Sequence, residues 1–247
     1  MRAVVLRAQL ESVLGERIPS PFTDIEKRVP ESLPTGIASL DALTGGLPRG
    51  AISEICGPAS SGRTSLMISI LSETAERDEV CALMDGADAF DPESGVASGL
   101  DLRRLLWVRC HSLDQVLKST DLLLQGGGFG CVIMDLSDLP SRNIQSIPIA
   151  TWFRFQRTIE KTPTVLVVIT PESIVQSAAA LVVRLGMREA YWSTVLNGVN
   201  LNIEILRCRR RSASATARSL KVRSASATAR SLKGCHSNSS FEFRISK

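Results

Sequence analysis

Residues 57–64, Gly-Pro-Ala-Ser-Ser-Gly-Arg-Thr, have the spacing of a phosphate-binding P-loop with one departure. The motif consists of Gly, four residues, Gly, Lys and then Ser or Thr, and here Arg63 stands where the Lys is expected. Glycines let such a loop turn its N–H groups toward a phosphate, and the N-terminus of the following helix adds partial positive charge. Lysine reaches the phosphates as a compact charge, whereas arginine is planar, bulkier and forked.

The spacing therefore predicts a nucleotide-binding fold that has lost part of the machinery for cleaving the nucleotide. The phosphate groups of a nucleotide are the expected ligand, if any is bound. The residues assigned to it are Gly57, Ser60, Ser61, Gly62, Arg63, Thr64 and Ser65.

A P-loop needs a strand before it and a helix after it, and the surrounding sequence alternates between these two elements. Short apolar runs predict strands at 51–56, 80–84, 106–109, 131–134, 164–169 and 181–185. Apolar residues three and four apart predict helices at 63–75, 113–124 and 143–160, the last started or kinked by Pro148, and Pro171 suits the first turn of another helix. Strands joined by helices of this length predict an α/β fold with a mostly parallel sheet covered on both faces.

The C-terminal part has a different pattern. Asn197-Gly198, a strong hairpin signal, separates 189–196 from 199–207, so an antiparallel hairpin is expected to extend the sheet. An eleven-residue sequence then occurs at 211–221 and again at 223–233, with too few large apolar side chains to fold by itself. We expect 241–245 to pair with 199–207. The predicted divisions are a helix and linker at 1–32, a core at 33–207, a flexible basic insertion at 208–240 and a terminal strand at 241–247.

Charge is unevenly distributed along the chain. Residues 205–247 contain 11 basic residues and one acidic residue, whereas residues 1–204 contain 18 basic and 24 acidic residues. A basic segment of this kind can neutralise nucleic-acid phosphates, or it can be a solvated or partner-binding loop. No aromatic residue lies among the arginines, so a stacking platform for single strands is not expected. The candidate nucleic-acid contacts are Arg207, Arg209, Arg210, Arg211, Arg218, Lys221, Arg223, Arg230 and Lys233.

Other features limit the class of protein. No apolar run approaches the length of a membrane span, and the first sixteen residues do not form a secretion signal. The six cysteines include no Cys-x-x-Cys pair, and we interpret them as reduced, mostly buried thiols of a cytoplasmic protein.

Residues 33–66, from Leu-Pro-Thr-Gly through Gly-Gly-Leu-Pro-Arg-Gly to the P-loop, resemble the opening of the RecA family core. Weaker resemblance continues over most of 33–207 and at 241–245. It implies a RecA-like P-loop NTPase core, in which Asp135 and Thr64 would hold Mg²⁺. Relatives of this family assemble through their N-terminal helices, so the helix-like segment 3–14 is a candidate for self-association.

The departures from the RecA pattern concern catalysis. RecA-type ATPases place an acidic general base shortly after the second strand, and here Ala87 stands at that position. Asp88 is one residue further on and is the alternative base. Three outcomes remain open: ATP binding without efficient turnover, a P-loop kept only as a turn, and slow hydrolysis.

A further departure is the short stretch between Thr170 and Leu181, where RecA recombinases have a DNA-binding loop; strand exchange is therefore not expected. Size, motif losses and the segment 99–109 are similar to the ImuA-type accessory proteins. That resemblance implies a role in DNA repair, in the SOS response and in translesion synthesis beside a Y-family-like polymerase partner. The alternatives are a DNA-stimulated ATPase of the RecA family and a ligand-free interaction scaffold.

The aromatic cluster Trp152, Phe153 and Phe155 lies beside Arg154 and Arg157. Helical spacing requires some of these rings to face the core, and a ring left exposed would suit a protein interface.

Overall fold

The structure is a computed structural model that describes residues 32–192 and 196–209, with two further strands at 225–230 and 242–246. Side chains are described for 32–186 and 202–209. The predicted N-terminal helix at 3–14 and the first copy of the repeat lie outside the described residues. All described residues belong to one compact unit, Pro30–Arg210 with Ala217–Lys247.

Strands and helices alternate from residue 32 onward. The strands are β1 (Ser32–Leu33), β2 (Leu47–Pro48), β3 (Ile52–Cys56), β4 (Cys81–Asp85), β5 (Leu105–Arg109), β6 (Cys131–Asp135), β7 (Val165–Thr170), β8 (Ala179–Trp192), β9 (Leu196–Cys208), β10 (Ala225–Arg230) and β11 (Glu242–Ser246). The α-helices are α1 (Ala38–Thr44), α2 (Arg63–Glu76), α3 (Pro92–Ala97), α4 (Leu113–Gly126), α5 (Ser141–Gln145) and α6 (Ile149–Ile159). Short 3₁₀ helices cover Leu102–Arg104 and Gln176–Ala178.

Nine of these strands form one sheet in the order β11-β10-β9-β8-β3-β7-β6-β4-β5. The strands from β8 to β5 are parallel, and β8, β9, β10 and β11 pair antiparallel. β1 and β2 form a separate antiparallel pair. The predicted α/β fold with a mostly parallel sheet and an antiparallel extension is therefore confirmed.

Both faces of the sheet are covered, which explains the continuous apolar runs of the central strands. One face carries a core that includes side chains of α1 and α2, and the other face carries a core that includes side chains of α4, α5 and α6. Within the aromatic cluster, Trp152 and Phe155 are buried in the second core, whereas Phe153 is 38% exposed. Pro148 is the N-cap of α6, so the predicted helix at 143–160 is two helices.

A buried carboxylate determines the path of the chain after β7. Glu54, on β3, is fully buried and accepts hydrogen bonds from the Ser173 hydroxyl at 2.7 Å and from the backbone N–H groups of Ile174 at 2.6 Å and Val175 at 3.1 Å. The helix expected to start at Pro171 does not form, because these N–H groups donate to Glu54; only the 3₁₀ turn Gln176–Ala178 follows.

The antiparallel extension differs from the predicted hairpin in two ways. β8 ends at Trp192 and β9 begins at Leu196, so Asn197-Gly198 lies inside β9 and is not the turn. β11 pairs with β10 and not with 199–207, because six residues of the second repeat copy, Ala225–Arg230, occupy the edge of β9. Strand addition relies on backbone hydrogen bonds, so a segment poor in apolar side chains can make it.

β8 is much longer than its parallel neighbour. Arg184 lies opposite Cys56, the last residue of β3, and β8 continues for eight residues to Trp192. At the rise of an extended strand, this continuation projects about 27 Å beyond the end of β3.

Cys56, Cys81, Cys110 and Cys131 are buried free thiols, as the sequence predicted. Burial raises the pKa of Cys56 to about 11 and that of Cys81 to about 12, so these thiols are unreactive near neutral pH. No helix of the described part of the chain is long and apolar enough to cross a bilayer.

Replacing Glu54 by Ala should lower the free energy of unfolding by about 3 kcal/mol or more, because it leaves the buried Val175 N–H and the half-buried Ile174 N–H without an acceptor. Glu172→Ala is the matched control: Glu172 is exposed on the same segment, and its loss should cost less than about 0.5 kcal/mol. Urea unfolding followed by circular dichroism measures both. Equal stability of the two variants would show that Glu54 does not hold the 173–175 segment.

Candidate nucleotide site

The P-loop lies at the carboxyl edge of the sheet, between the end of β3 and the start of α2. Gly57 donates its N–H to the Thr170 carbonyl at 3.2 Å, and a Cβ at Gly57 would lie 2.3 Å from the Leu185 carbonyl oxygen. Gly62 is the N-cap of α2 with a φ of 89°, a left-handed conformation that glycine adopts without strain. Both glycines are therefore required by the backbone, independently of any ligand.

The predicted loop residues divide into buried and exposed groups. Ser61 and Arg63 are buried, whereas Ser60, Thr64 and Ser65 are exposed at the mouth of the loop. The side chain of Arg63 at the start of α2 is only 7% exposed, and its Nη1 has no hydrogen-bond partner among the described residues.

Two hydroxyl groups in or near the loop also lack a hydrogen-bond partner among the described residues. Ser61 Oγ and Thr170 Oγ1 are buried and have no hydrogen-bond partner in the described part of the chain. Thr170 is the last residue of β7 and lies opposite Cys56 in the sheet. Sequence reasoning missed it, because the sequence does not show which strand lies next to the P-loop strand.

Unpaired buried donors are expensive, at about 1–3 kcal/mol for a neutral group and more for a charged one. A guanidinium group and two hydroxyl groups beside a P-loop form a donor set that a phosphate would satisfy. These residues therefore fit an anionic ligand such as the phosphates of ATP.

Asp135 ends β6 on the same edge of the sheet. β7 lies between β6 and β3, and the alternation along β6 places Asp135 on the face with Cys131 and Ile133, which is the face covered by α2. One carboxylate oxygen accepts the Ser137 N–H at 2.9 Å, and burial raises the pKa of Asp135. Together with the exposed Thr64 hydroxyl, this carboxylate has the oxygen chemistry that Mg²⁺ requires.

The turn after β4 is fixed by Asp85, whose role the sequence did not reveal. Its buried carboxylate accepts the N–H groups of Ala87 at 3.3 Å, Ala89 at 3.1 Å and Phe90 at 2.9 Å. The Trp107 indole N–H donates to it as well, at 3.2 Å. Since Asp85 is used in this way, it holds the turn and is not free to act as a base.

Asp88, the alternative general base, is engaged with a residue of the edge strand. Arg109 Nε donates to Asp88 Oδ1 at 2.5 Å, and Arg109 Nη2 donates to Asp88 Oδ2. The hydrogen bond from Arg109 is the main cause that lowers the pKa of Asp88. Ala87, at the position of the usual base, offers only a methyl group.

Among the predicted nucleic-acid contacts, Arg207 and Arg209 have described side chains, and both have hydrogen-bond partners within the fold. Arg207 donates to the Gln176 carbonyl, and Arg209 Nη1 donates to the Ser177 carbonyl at 3.2 Å. Both therefore bind carbonyl groups of the 3₁₀ turn after β7. Arg230 is the last residue of β10, and its side chain lies outside the described part. The other predicted contacts, Arg210, Arg211, Arg218, Lys221, Arg223 and Lys233, also lie outside the described residues.

The chain is similar to known proteins in both sequence and structure. The model of the RecA N-terminal domain family matches residues 8–143. Protein RecA of Brucella anthropi is 38% identical over 107 residues, covering 42% of this chain and 30% of the relative. Protein RecA of Pseudomonas putida is 33% identical over 129 residues, covering 51% of this chain and 36% of the relative. Protein RecA of Aquifex aeolicus is 31% identical over 133 residues, covering 53% of this chain and 39% of the relative.

The chain thus spans about a third of the length of these relatives. Among solved structures, the RadB recombinase aligns with a TM-score of 0.59, covering 81% of this chain and 96% of that chain at 18% identity. At this identity the likeness is one of fold.

Arg109→Gln should raise the pKa of Asp88 toward its ordinary value of 3.8, because the hydrogen bond that lowers it is lost. The depressed pKa means that the ion pair stabilises the fold above about pH 4, and that this contribution is lost as pH falls through the folded-state pKa of Asp88. Carboxyl-carbon NMR titration of Asp88 measures the shift. The matched control is Arg103→Gln, which removes the partner of Asp101 and should move the pKa of Asp101 alone. An unchanged Asp88 titration in Arg109→Gln would contradict the described ion pair.

Proposed function

Because the chain belongs to the RecA N-terminal domain family, we propose that it is a nucleotide-binding accessory protein of DNA repair that hydrolyses ATP poorly or not at all. The observation that carries this proposal is the buried Arg63 guanidinium with its unpaired Nη1 at the start of α2. A phosphate would satisfy this group, and no apolar or neutral ligand would do so equally well.

The lack of efficient turnover follows from the turn after β4. General-base catalysis contributes about 10²–10⁴-fold to a reaction rate, and a methyl group at Ala87 cannot supply it. Asp88 already accepts two hydrogen bonds from Arg109, which reduces its affinity for a proton. These observations favour the accessory role over the alternative of a DNA-stimulated ATPase.

Strand exchange of the recombinase type is not part of the proposal. The segment that follows β7 is short and is held by Glu54 along 173–175, which leaves little chain for a DNA-binding loop there. The finer assignment to the ImuA type rests on the motif losses and on the segment 99–109. It includes a role in the SOS response and translesion synthesis, and a polymerase-like partner.

Nucleic-acid contact is the second part of the proposal and is assigned to the basic residues beyond Arg209. Residues 205–247 carry a net charge of +10, which favours association with a polyanion. Arg207 and Arg209 are assigned a different role, because they donate to backbone carbonyl groups and fix the start of the basic segment.

ATP with Mg²⁺ should raise the melting temperature of the purified chain, since a ligand at 100 times its Kd stabilises the folded state by about 2.7 kcal/mol. Arg63→Ala should abolish this shift, and Arg63→Lys should keep it. Arg77→Ala, at the exposed end of the same helix, is the control that should behave like the wild type. The ligand-free scaffold is the correct alternative if the wild type shows no shift, and rapid phosphate release that Arg63→Ala abolishes would identify a working ATPase.

Binding to a fluorescent thymidine 30-mer should weaken steeply with salt, with a slope of about −0.7 per phosphate neutralised on single strands. Exchanging Arg218, Lys221, Arg223 and Arg230 for Gln should flatten this slope, whereas Arg207→Gln with Arg209→Gln should lower thermal stability and leave the slope nearly unchanged. Fluorescence anisotropy at NaCl concentrations from about 50 to about 200 mM, the range in which such contacts are lost, measures the salt slope of each variant. Thermal melting measures the stability of the Arg207→Gln/Arg209→Gln variant. A slope that depends on Arg207 and Arg209 alone would refute the division of roles.

A further inference from the structure

The Asp88–Arg109 ion pair is more strongly organised than an ordinary surface pair. Both carboxylate oxygens of Asp88 accept hydrogen bonds from one guanidinium, a forked geometry that fixes both side chains. Asp88 itself has a φ of 55°, in the left-handed region, which is uncommon for a residue other than glycine.

Arg109 is held in place by its neighbours on the edge strand. Its guanidinium carbon lies 5.4 Å from the centre of the Trp107 ring. The Trp107 ring is fixed in turn by the hydrogen bond to Asp85 and by an edge-to-face contact with Phe90, with ring centres 5.4 Å apart. The guanidinium therefore stays in position to hold Asp88, even though its side chain is 57% exposed.

The backbone of the turn does not depend on this pair. Asp85 holds the N–H groups of Ala87, Ala89 and Phe90, and the Gly86 N–H donates to the Asp135 carbonyl at 3.1 Å. Rotation of the Asp88 side chain away from Arg109 would consequently leave the turn intact. The same contacts place the turn beside Asp135, at the edge of the sheet where the P-loop lies.

We propose that the Asp88–Arg109 ion pair is an inhibitory lock, which holds the only carboxylate of residues 86–90 away from water at the P-loop, and that breaking it supplies a general base. This inference rests on the proposed binding of ATP. In the unlocked state a water oxygen attacks the γ-phosphorus, the bond to the β–γ bridging oxygen breaks and ADP leaves. The proton of the water passes to the Asp88 carboxylate and from there to solvent. Arg109 is a positioning residue in this scheme, since it acts through Asp88.

The test compares phosphate release in a single turnover, with ATP and Mg²⁺, for the wild type, Arg109→Gln and the double variant Arg109→Gln/Asp88→Asn. We expect Arg109→Gln to release phosphate at least about 10-fold faster than the wild type, and the double variant to return to the wild-type rate. Arg103→Gln is the matched control, because Arg103 makes the same forked pair with Asp101 just before β5 begins, at the opposite end of that strand from Arg109, and its loss should leave the rate unchanged.

The readouts separate the lock from the proposed function. Arg109→Lys, which keeps the charge, provides a second variant if Arg109→Gln does not fold, and it should give a smaller increase. A normal ATP-induced melting shift without faster phosphate release in either variant overturns the lock and leaves ATP binding standing. An increase that persists in the double variant overturns the role of Asp88. Absence of any ATP-induced shift in the wild type overturns both proposals.

Discussion

The buried carboxylate of Glu54 determines how the sheet is connected around the P-loop. It sits in the strand that leads into the loop and accepts hydrogen bonds from a segment 119 to 121 residues away. A buried charge of this kind is tolerated only when hydrogen bonds satisfy it, so the segment after β7 must stay short and close. The 3₁₀ turn that follows receives Arg207 and Arg209, and the path of the chain into the basic segment depends on it.

The candidate site combines the glycine geometry of a P-loop with departures at the lysine and general-base positions. Gly57 is required by a close approach to the Leu185 carbonyl and Gly62 by its positive φ, so both requirements come from the backbone and not from a ligand. The charge of the missing lysine survives in Arg63, but its head is buried at the start of α2. After β4, the Asp85 carboxylate holds the turn and the Asp88 carboxylate is paired with Arg109. The residues proposed for binding thus differ from those proposed for turnover, so the proposal allows binding without turnover.

The sequence predicted the central strands and the P-loop because both have local signals: five-residue apolar runs for buried parallel strands, and fixed glycine spacing for the loop. It did not predict the roles of Glu54, Thr170 and Arg109, because these depend on which strands become neighbours. The pairing of Asp88 with Arg109 joins residues 21 apart across an edge that no local pattern specifies. The turn of the hairpin was predicted at the wrong place for a related reason. Asn197-Gly198 is a strong turn signal, but Gly198 pairs with Tyr191 of β8 and with Arg230 of β10, so this dipeptide lies within a strand.

The unequal lengths of β3 and β8 affect how a molecule could reach the P-loop. Beyond Cys56, the strand next to the loop continues as a ribbon with β9, while β7 on the other side ends level with it at Thr170. One flank of the loop is thus bordered by strand backbone that extends beyond the end of β3, whereas the strand on the opposite flank ends level with β3. A molecule that approaches the loop from the β8 flank would therefore meet the backbone of β8 and β9 before it meets the end of β3.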